Sequence, residues 1–263
     1  MINIDINPVL TIGPVSLRWY GIMVALAVLT IVLWTIRTVS RSKLSYDIAV
    51  TAALVGVPSG IIFSRLLHVI DAWEYYSRNL WEIIGGSGLT AWGAVLGAAI
   101  GIWIYSKVSK FNFSYFADLI APGIILAQAV GRVGCIINGC CYGIETSADC
   151  AVIYENPESF APIGIPVHPT HLYELIYNLM VFGVLLMLRG RFRPDGSLFL
   201  IYLSLYSAWR IGIGFLRDGT PFLFGLHQAQ VIGIIILLIT VPLLAYRTRW
   251  VRSETNTEGN EEG

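Results

Sequence analysis

Long apolar stretches alternate along the chain with short polar or charged segments. About 20 mostly apolar residues are enough to cross the hydrocarbon core of a bilayer as a helix. We expect seven transmembrane helices, near Leu17–Ile36, Asp47–Ile70, Gly88–Ser106, Ser114–Gly134, Thr170–Leu188, Ser197–Leu216 and Gln228–Tyr246. The pattern therefore predicts an all-α polytopic membrane protein.

Basic residues are distributed unequally between the segments that connect these spans. They follow the odd-numbered spans, as Arg37, Arg41, Lys43, Lys107, Lys110, Arg189, Arg191, Arg193, Arg247, Arg249 and Arg252. The positive-inside rule then places the N-terminus outside the cell and the C-terminus in the cytoplasm. Charged residues make up 13% of the chain and hydrophobic residues 56%, which excludes an ordinary soluble globular domain.

We expect a single membrane domain over residues 1–250 with one small head outside the membrane. The head, at about 138–169, is rich in proline and other turn-forming residues and lies between the fourth and fifth spans. Residues 251–263 are polar and acidic, and they predict a disordered cytoplasmic tail. The N-terminal segment lacks a basic region, so no removable signal peptide is predicted.

Three arginines interrupt the apolar spans: Arg65, Arg132 and Arg210. A charge at the centre of a bilayer costs roughly 2.5–3.5 kcal/mol, so we expect each arginine to face a polar cavity or an anion. A guanidinium group binds phosphate through two donors and stays charged in an apolar setting. A lipid phosphate is therefore the favoured partner. The alternative is neutralisation by a carboxylate such as Asp118 or Glu174, but the spans hold too few acidic residues to pair all three.

The segment VHPTHLYE, at the outer entrance of the fifth span, supplies candidates for proton transfer. A helix that begins near Thr170 places His171 and Glu174 on one face, where the histidine is a candidate general base. Zinc binding by His168 and His171 is the alternative, but two histidines separated by a proline-containing turn are a weak metal signature. Tyr20, at the outer end of the first span, has the position of an interfacial aromatic residue.

Four cysteines cluster at the end of the fourth span and in the head: Cys135, Cys140, Cys141 and Cys150. The last three are expected on the oxidising side of the membrane, where Cys150 is able to bridge Cys140 or Cys141. Four cysteines allow three pairings, and the sequence does not choose among them. Their spacing matches no zinc pattern and includes no C-x-x-C pair, so we predict no metal site.

Five ordered segments resemble the prolipoprotein diacylglyceryl transferase family. They are GPVSLRWYGIM, GSGLTAWGAVLG, GRVGCIINGCCYG, HPTHLYE and GSLFLIYLSLYSAWRIGIGFLRD. The resemblance implies a seven-helix enzyme of the bacterial plasma membrane whose active site opens toward the outer leaflet. It implies transfer of the diacylglyceryl group of phosphatidylglycerol to the lipobox cysteine in the signal peptide of a preprolipoprotein. The products are a thioether and glycerol phosphate, and no cofactor, metal or nucleic acid is implied.

The resemblance also implies roles for individual residues. Arg132 holds the donor lipid, Arg210 lies near the leaving phosphate, and Tyr20 orients the thiol. The predicted catalytic residues are Arg132, Arg210, Tyr20 and His171. The predicted substrate-binding residues are Arg132, Asn138, Gly143, Arg65, Trp92 and Glu174.

The chain departs from the family pattern at several of these positions. Many members have a histidine, proposed as the base, where this chain has Trp92. The base is then His171, where many members have glutamine, or the departing phosphate itself. Cys135 and Cys140 replace a frequent asparagine and glutamate, and Gly214 stands where a glutamate often follows. A paralogue with another thiol acceptor stays open, as does an organic-anion transporter, although the chain lacks the internal repeats of many transporters.

A last pattern concerns helix packing in the third span. Gly93, Gly97 and Gly101 recur every four residues, which predicts a face for close contact with another helix.

Overall fold

The computed structural model of the chain describes residues 1–85, 90–219 and 221–250. The helices are α1 (Trp19–Val39), α2 (Tyr46–Asp71), α3 (Trp73–Tyr76), α4 (Glu82–Gly85), α5 (Ala91–Val108), α6 (Phe113–Asn138), α7 (Thr170–Leu188), α8 (Ser197–Gly214) and α9 (Gln228–Arg247). The strands are β1 (Ile2–Ile4), β2 (Val9–Ile12), β3 (Val15–Arg18), β4 (Val152–Tyr154), β5 (Phe192–Arg193) and β6 (Arg249–Trp250). The predicted acidic tail lies outside the described residues.

Six of the helices, α1, α2, α6, α7, α8 and α9, are long and apolar enough to cross a membrane. Their bounds agree with six of the predicted spans to within a few residues, and the predominantly helical fold is confirmed. The remaining predicted span, Gly88–Ser106, falls on α5. The apolar stretch of that helix, Gly93–Val108, is shorter than about 20 residues. Gly88 itself lies outside the described residues.

The short strands form three pairs that the hydrophobic pattern did not predict. β1 runs parallel to β4, with Ile2 opposite Val152. β2 and β3 form an antiparallel hairpin, and its turn includes Gly13 in the left-handed region at φ 60°. β5 pairs with β6 in the antiparallel sense. The hairpin leads directly into α1 and places Arg18 just before that helix.

The chain divides into two compact units whose boundaries fall inside α1 and α6. The first unit contains Met1–Ala27 and the chain from Ala121 on. Its buried core comes from three helices, α6, α7 and α8, through Ala121, Ile125, Val181, Leu185, Leu198 and Tyr202. Apolar packing therefore holds these helices side by side and fixes which of their polar side chains meet.

The second unit, Val28–Ile120, contains the glycine face of α5. A Cβ atom on Gly93 would lie 2.5 Å from the carbonyl oxygen of Phe63, and one on Gly101 would lie 2.5 Å from Ser59 Oγ. One on Gly97 would overlap the same stretch of α2. The predicted contact face is confirmed, with α2 as its partner.

Candidate active site

Arg132, Glu174 and Arg210 meet inside the first unit, each from a different helix. Nη2 of Arg132 donates to Oε1 of Glu174 at 2.5 Å, and Nη1 of Arg210 donates to Oε2 at 3.2 Å. The Glu174 side chain is 2% exposed, and those of Arg132 and Arg210 are 16% and 12% exposed. One buried carboxylate thus bridges two guanidinium groups, so the alternative of pairing with a carboxylate holds for Arg132 and Arg210, with one glutamate serving both.

Charge and unused donors distinguish this three-residue cluster from a simple ion pair. Two positive groups and one negative group leave a net charge of +1. Nε of Arg210 is buried without a hydrogen-bond partner among the described residues. Among the described residues, the acceptor found for Nη1 of Arg132 is the weak one, Cys135 Sγ, at 3.8 Å. The cluster therefore retains both positive charge and donors for an anionic ligand.

The first turn of α7 places Glu174 in the cluster. The hydroxyl of Thr170 donates to the carbonyl oxygen of Cys141 at 2.6 Å, and α7 begins at Thr170, directly after Pro169. His171 and Glu174 then lie three residues apart on one face, and each is 1% exposed. The predicted start of α7 at Thr170 is confirmed, and the hydrogen bond to Cys141 fixes the first turn of the helix.

His171 contacts Tyr154 at the end of β4. The hydroxyl of Tyr154 donates to the carbonyl oxygen of Ile136 at 3.0 Å, so its oxygen accepts from Nε2 of His171, also at 3.0 Å. Burial raises the pKa of Tyr154 above its ordinary value, and the phenol keeps its proton. Nδ1 of His171 is buried and has no partner among the described residues.

Asn138 and Gly143 lie where α6 ends and the polypeptide turns back. Asn138 is 4% exposed, and its Oδ1 accepts from Nη1 of Arg18 at 3.3 Å. The N–H of Gly143 donates to the carbonyl oxygen of His168 at 2.9 Å. A Cβ atom on Gly143 would lie 2.7 Å from Cβ of His168 and 2.8 Å from Cγ2 of Thr170. Only glycine fits this contact without displacing the start of α7.

Tyr20 lies in the first turn of α1 and is 42% exposed. α1 approaches α6 closely at Gly134, where an added Cβ atom would lie 2.8 Å from Cβ of Met23 and 3.4 Å from Cα of Tyr20. Tyr20 is thus next to the helical turn that carries Arg132.

Arg65 and Trp92 belong to the second unit. Nε of Arg65 donates to the carbonyl oxygen of Ile83 at 2.9 Å, and its Nη2 donates to that of Glu82. Its guanidinium carbon lies 5.2 Å from the ring centroid of Tyr76. Arg65 therefore ties α2 to the segment that contains α4. Trp92 is on α5, but its side chain lies outside what the structure describes.

All four cysteines are free thiols. The bridge from Cys150 that the sequence left open is absent, and Sγ of Cys150 instead lies 3.1 Å from the hydroxyl of Tyr173. The Sγ atoms of Cys135, Cys140 and Cys141 lie within 4.8 Å of one another. Hydrogen bonds from the thiols of Cys135 and Cys140 hold the pKa of Cys141 well below its ordinary value.

Several polar residues around the cluster were missed by the sequence analysis. Tyr206 precedes Arg210 by one helical turn, which was a usable signal, and its hydroxyl is 3.5 Å from Oε1 of Glu174. Asn178 follows Glu174 by one turn and is fully buried, with neither amide atom partnered among the described residues. Tyr154 carried no periodic signal, because it reaches the site from β4, a strand of only three residues.

Comparison with known proteins shows which family this chain resembles. A family model described as prolipoprotein diacylglyceryl transferase matches residues 7–246. A protein of Dehalococcoides mccartyi named phosphatidylglycerol–prolipoprotein diacylglyceryl transferase is 52% identical over 95% of this chain and 96% of its own length. Proteins with the same name from Clostridioides difficile and Listeria innocua are 34% and 32% identical, over 86% and 92% of this chain and 88% and 90% of theirs.

Proposed function

The chain belongs to the prolipoprotein diacylglyceryl transferase family, and on that premise we propose that it transfers the diacylglyceryl group of phosphatidylglycerol to a cysteine thiol of a preprolipoprotein. The acceptor is the lipobox cysteine at the end of the signal peptide. The products are the thioether-linked lipid and glycerol phosphate.

The observation that carries this proposal is the bridged pair of arginines. The phosphodiester of phosphatidylglycerol has one negative charge, which matches the net charge of +1 that Arg132, Glu174 and Arg210 leave inside the protein. Glu174 holds the two guanidinium groups through one donor each and leaves Nε of Arg210 without a partner among the described residues. The remaining donors suit two phosphate oxygens. A neutral lipid headgroup would leave the positive charge uncompensated.

In the proposed reaction the cysteine sulfur attacks the glyceryl carbon next to the phosphate. A carbon–sulfur bond forms, the carbon–oxygen bond to the phosphate breaks, and the electron pair stays on the leaving oxygen. Negative charge on the phosphate therefore increases as the reaction proceeds. Arg132 and Arg210 interact more strongly with that charge than with the substrate, which lowers the barrier.

The thiol proton goes to the departing phosphate in this scheme, with Tyr20 orienting the thiol. His171 is less suited to be the base, because it is 1% exposed and its Nε2 is bonded to Tyr154. We assign His171 to positioning, since its bond to Tyr154 braces the turn of α7 that carries Glu174. Asn138 and Gly143 shape the end of α6 beside the site. The substrate roles of Arg65 and Trp92 stay predictions.

We also propose how the chain lies in the bacterial plasma membrane. α5 completes a set of seven spans, with the N-terminus outside and the C-terminus in the cytoplasm, as the distribution of basic residues favours. The segment 138–169 then forms a small head outside the membrane. This arrangement opens the arginine cluster toward the outer leaflet, where translocated signal peptides present their cysteine.

The test is transfer by the purified protein from phosphatidylglycerol to a synthetic lipobox peptide, detected by mass spectrometry. We expect a diacylglyceryl adduct on the peptide and none on a peptide whose cysteine is replaced by serine. No adduct from well-folded protein, with an active family member as control, would contradict the proposal.

A further inference from the structure

Three thiols converge at the end of α6, beside the arginine cluster. Cys135 lies in α6, and Cys140 and Cys141 lie in the turn that follows this helix. The turn folds back because Gly139 and Cys141 both adopt left-handed backbone conformations, at φ 68° and 63°. The N–H of Cys140 donates to the carbonyl oxygen of Cys135 at 3.2 Å, which closes the turn. All three Sγ atoms then lie within 4.8 Å of one another.

This spacing is close to what three thiolates on one metal ion require. With a metal–sulfur bond of about 2.3 Å, as for zinc, sulfur ligands lie about 3.8–4.0 Å apart in tetrahedral or trigonal geometry. Side-chain rotation alone accommodates a contraction of less than about 1 Å from the present spacing. Thiolate ligands select soft cations such as Cu(I) over hard cations such as Mg²⁺ or Ca²⁺.

We propose that Cys135, Cys140 and Cys141 form a three-thiolate binding site for a soft cation of the Cu(I) type. Cys140 and Cys141 are half-buried and give the ion access, whereas Cys135 is buried and forms the floor of the site. Binding releases the thiol protons, because the thiolate is the ligand. Three thiolates and one Cu(I) carry a net charge of −2, and Arg132, whose Nη1 lies 3.8 Å from Cys135 Sγ, is placed to compensate one of the two negative charges. The assignment of this site does not rest on the proposed reaction.

Cation binding by the full-length protein tests the proposal directly. Reduced protein in detergent is titrated with Cu(I), and with Cd²⁺ as a spectroscopic probe whose thiolate charge-transfer band is read in the ultraviolet. We expect one cation per chain and at least a tenfold weaker affinity in each of Cys135→Ser, Cys140→Ser and Cys141→Ser. Cys150→Ser is the matched control, because Cys150 is exposed and contacts Tyr173 instead, and it should bind as the unaltered protein does.

X-ray absorption of the Cu(I)-loaded unaltered protein needs no variant and counts the sulfur neighbours of the metal. Three sulfurs support the site, and two or fewer overturn it. Equal loss of binding in Cys150→Ser would also overturn it, as would full binding in the triple variant Cys135→Ser/Cys140→Ser/Cys141→Ser. A second consequence rests on the proposed function: a bound cation that engages Arg132 should slow diacylglyceryl transfer in the unaltered protein and not in the triple variant. Failure of that effect alone, with metal binding intact, would count against the role of Arg132 and not against the metal site.

Discussion

This protein accommodates arginine in apolar helices in two ways. One is seen at Arg132 and Arg210, and the other at Arg65. Arg132 and Arg210 share the carboxylate of Glu174, keep a net charge of +1 and retain a buried donor. Arg65 donates to two backbone carbonyl oxygens and lies against an aromatic ring. In the sequence all three look alike.

The two arrangements differ in the charge and the hydrogen-bond donors that they leave available to a ligand. The backbone carbonyl oxygens of Glu82 and Ile83 carry no full charge, and by binding them the guanidinium group of Arg65 ties α2 to the short segment that contains α4. A carboxylate shared by two guanidinium groups fixes both and neutralises only one of the two positive charges. The first arrangement is suited to structure, and the second is suited to binding an anion.

Removing either clustered arginine should have the largest effect. We expect Arg132→Ala and Arg210→Ala each to slow transfer by about 10²–10³-fold, because the developing charge on the phosphate loses a preorganised cation. Lysine at either position should restore little, since an ammonium group lacks the planar fork of donors. The rate of peptide adduct formation measures this. Arg78→Ala is the matched control, because that side chain is 77% exposed. Retained turnover in both alanine variants would contradict the assignment.

Glu174→Gln tests whether the carboxylate orients the pair. The substitution raises the net charge of the cluster by one, so phosphatidylglycerol should bind at least as well and KM should not rise. The guanidinium groups lose their common anchor, so we expect kcat to fall by about 10²-fold. Breaking a buried ion pair costs about 3–5 kcal/mol, so the variant should also unfold at a lower temperature. An unchanged kcat would show that orientation by Glu174 is not needed.

Arg65→Ala tests the structural role of the arginine that binds backbone carbonyl oxygens. Each hydrogen bond from a charged group contributes about 1.5–3 kcal/mol, so loss of the bonds to Glu82 and Ile83 should lower the unfolding temperature clearly. Turnover per folded molecule should fall by less than about tenfold, equivalent to about 1.4 kcal/mol of barrier. Thermal unfolding and adduct formation are measured on the same sample. A large loss of turnover with unchanged unfolding would instead favour the predicted substrate role of Arg65.

His171→Gln should have the smallest effect. The glutamine amide is able to donate to the hydroxyl of Tyr154 as Nε2 of His171 does, so the start of α7 stays braced. We expect transfer within about tenfold of the unaltered protein. General-base catalysis typically contributes about 10²–10⁴-fold, so a loss of that size would identify His171 as the base. Tyr154→Phe, which removes the same hydrogen bond, serves as the comparison variant.

The helices were predictable, because burial in hydrocarbon requires long apolar runs and such runs are local in the sequence. α7 was predicted at Thr170–Leu188, the bounds that the structure has. The pairing of β1 with β4 was not predictable, since those strands are short and far apart in the chain. α5 was predicted as a span at Gly88–Ser106, but its apolar stretch, Gly93–Val108, is shorter than the other spans.

The residues of the candidate site could be identified from the sequence, but their contacts with one another could not. Arg132, Arg210 and Glu174 were each identified, since charges stand out in apolar helices. That one carboxylate contacts both arginines depends on the rotation of three packed helices, which apolar contacts set. The clustering of three thiols depends on a left-handed turn at Gly139 and Cys141, where only the glycine is recognisable in sequence.

The most direct test of the central claim is the affinity of the purified protein for phosphatidylglycerol in lipid nanodiscs. Unaltered protein, Arg210→Ala and the double variant Arg132→Ala/Arg210→Ala are compared, with diacylglycerol, which lacks the phosphate, as the comparison lipid. The phosphate site predicts at least tenfold weaker binding in the single variant, a further loss in the double variant, and little discrimination between the two lipids once both arginines are gone. Equal affinity for phosphatidylglycerol in all three proteins would contradict it.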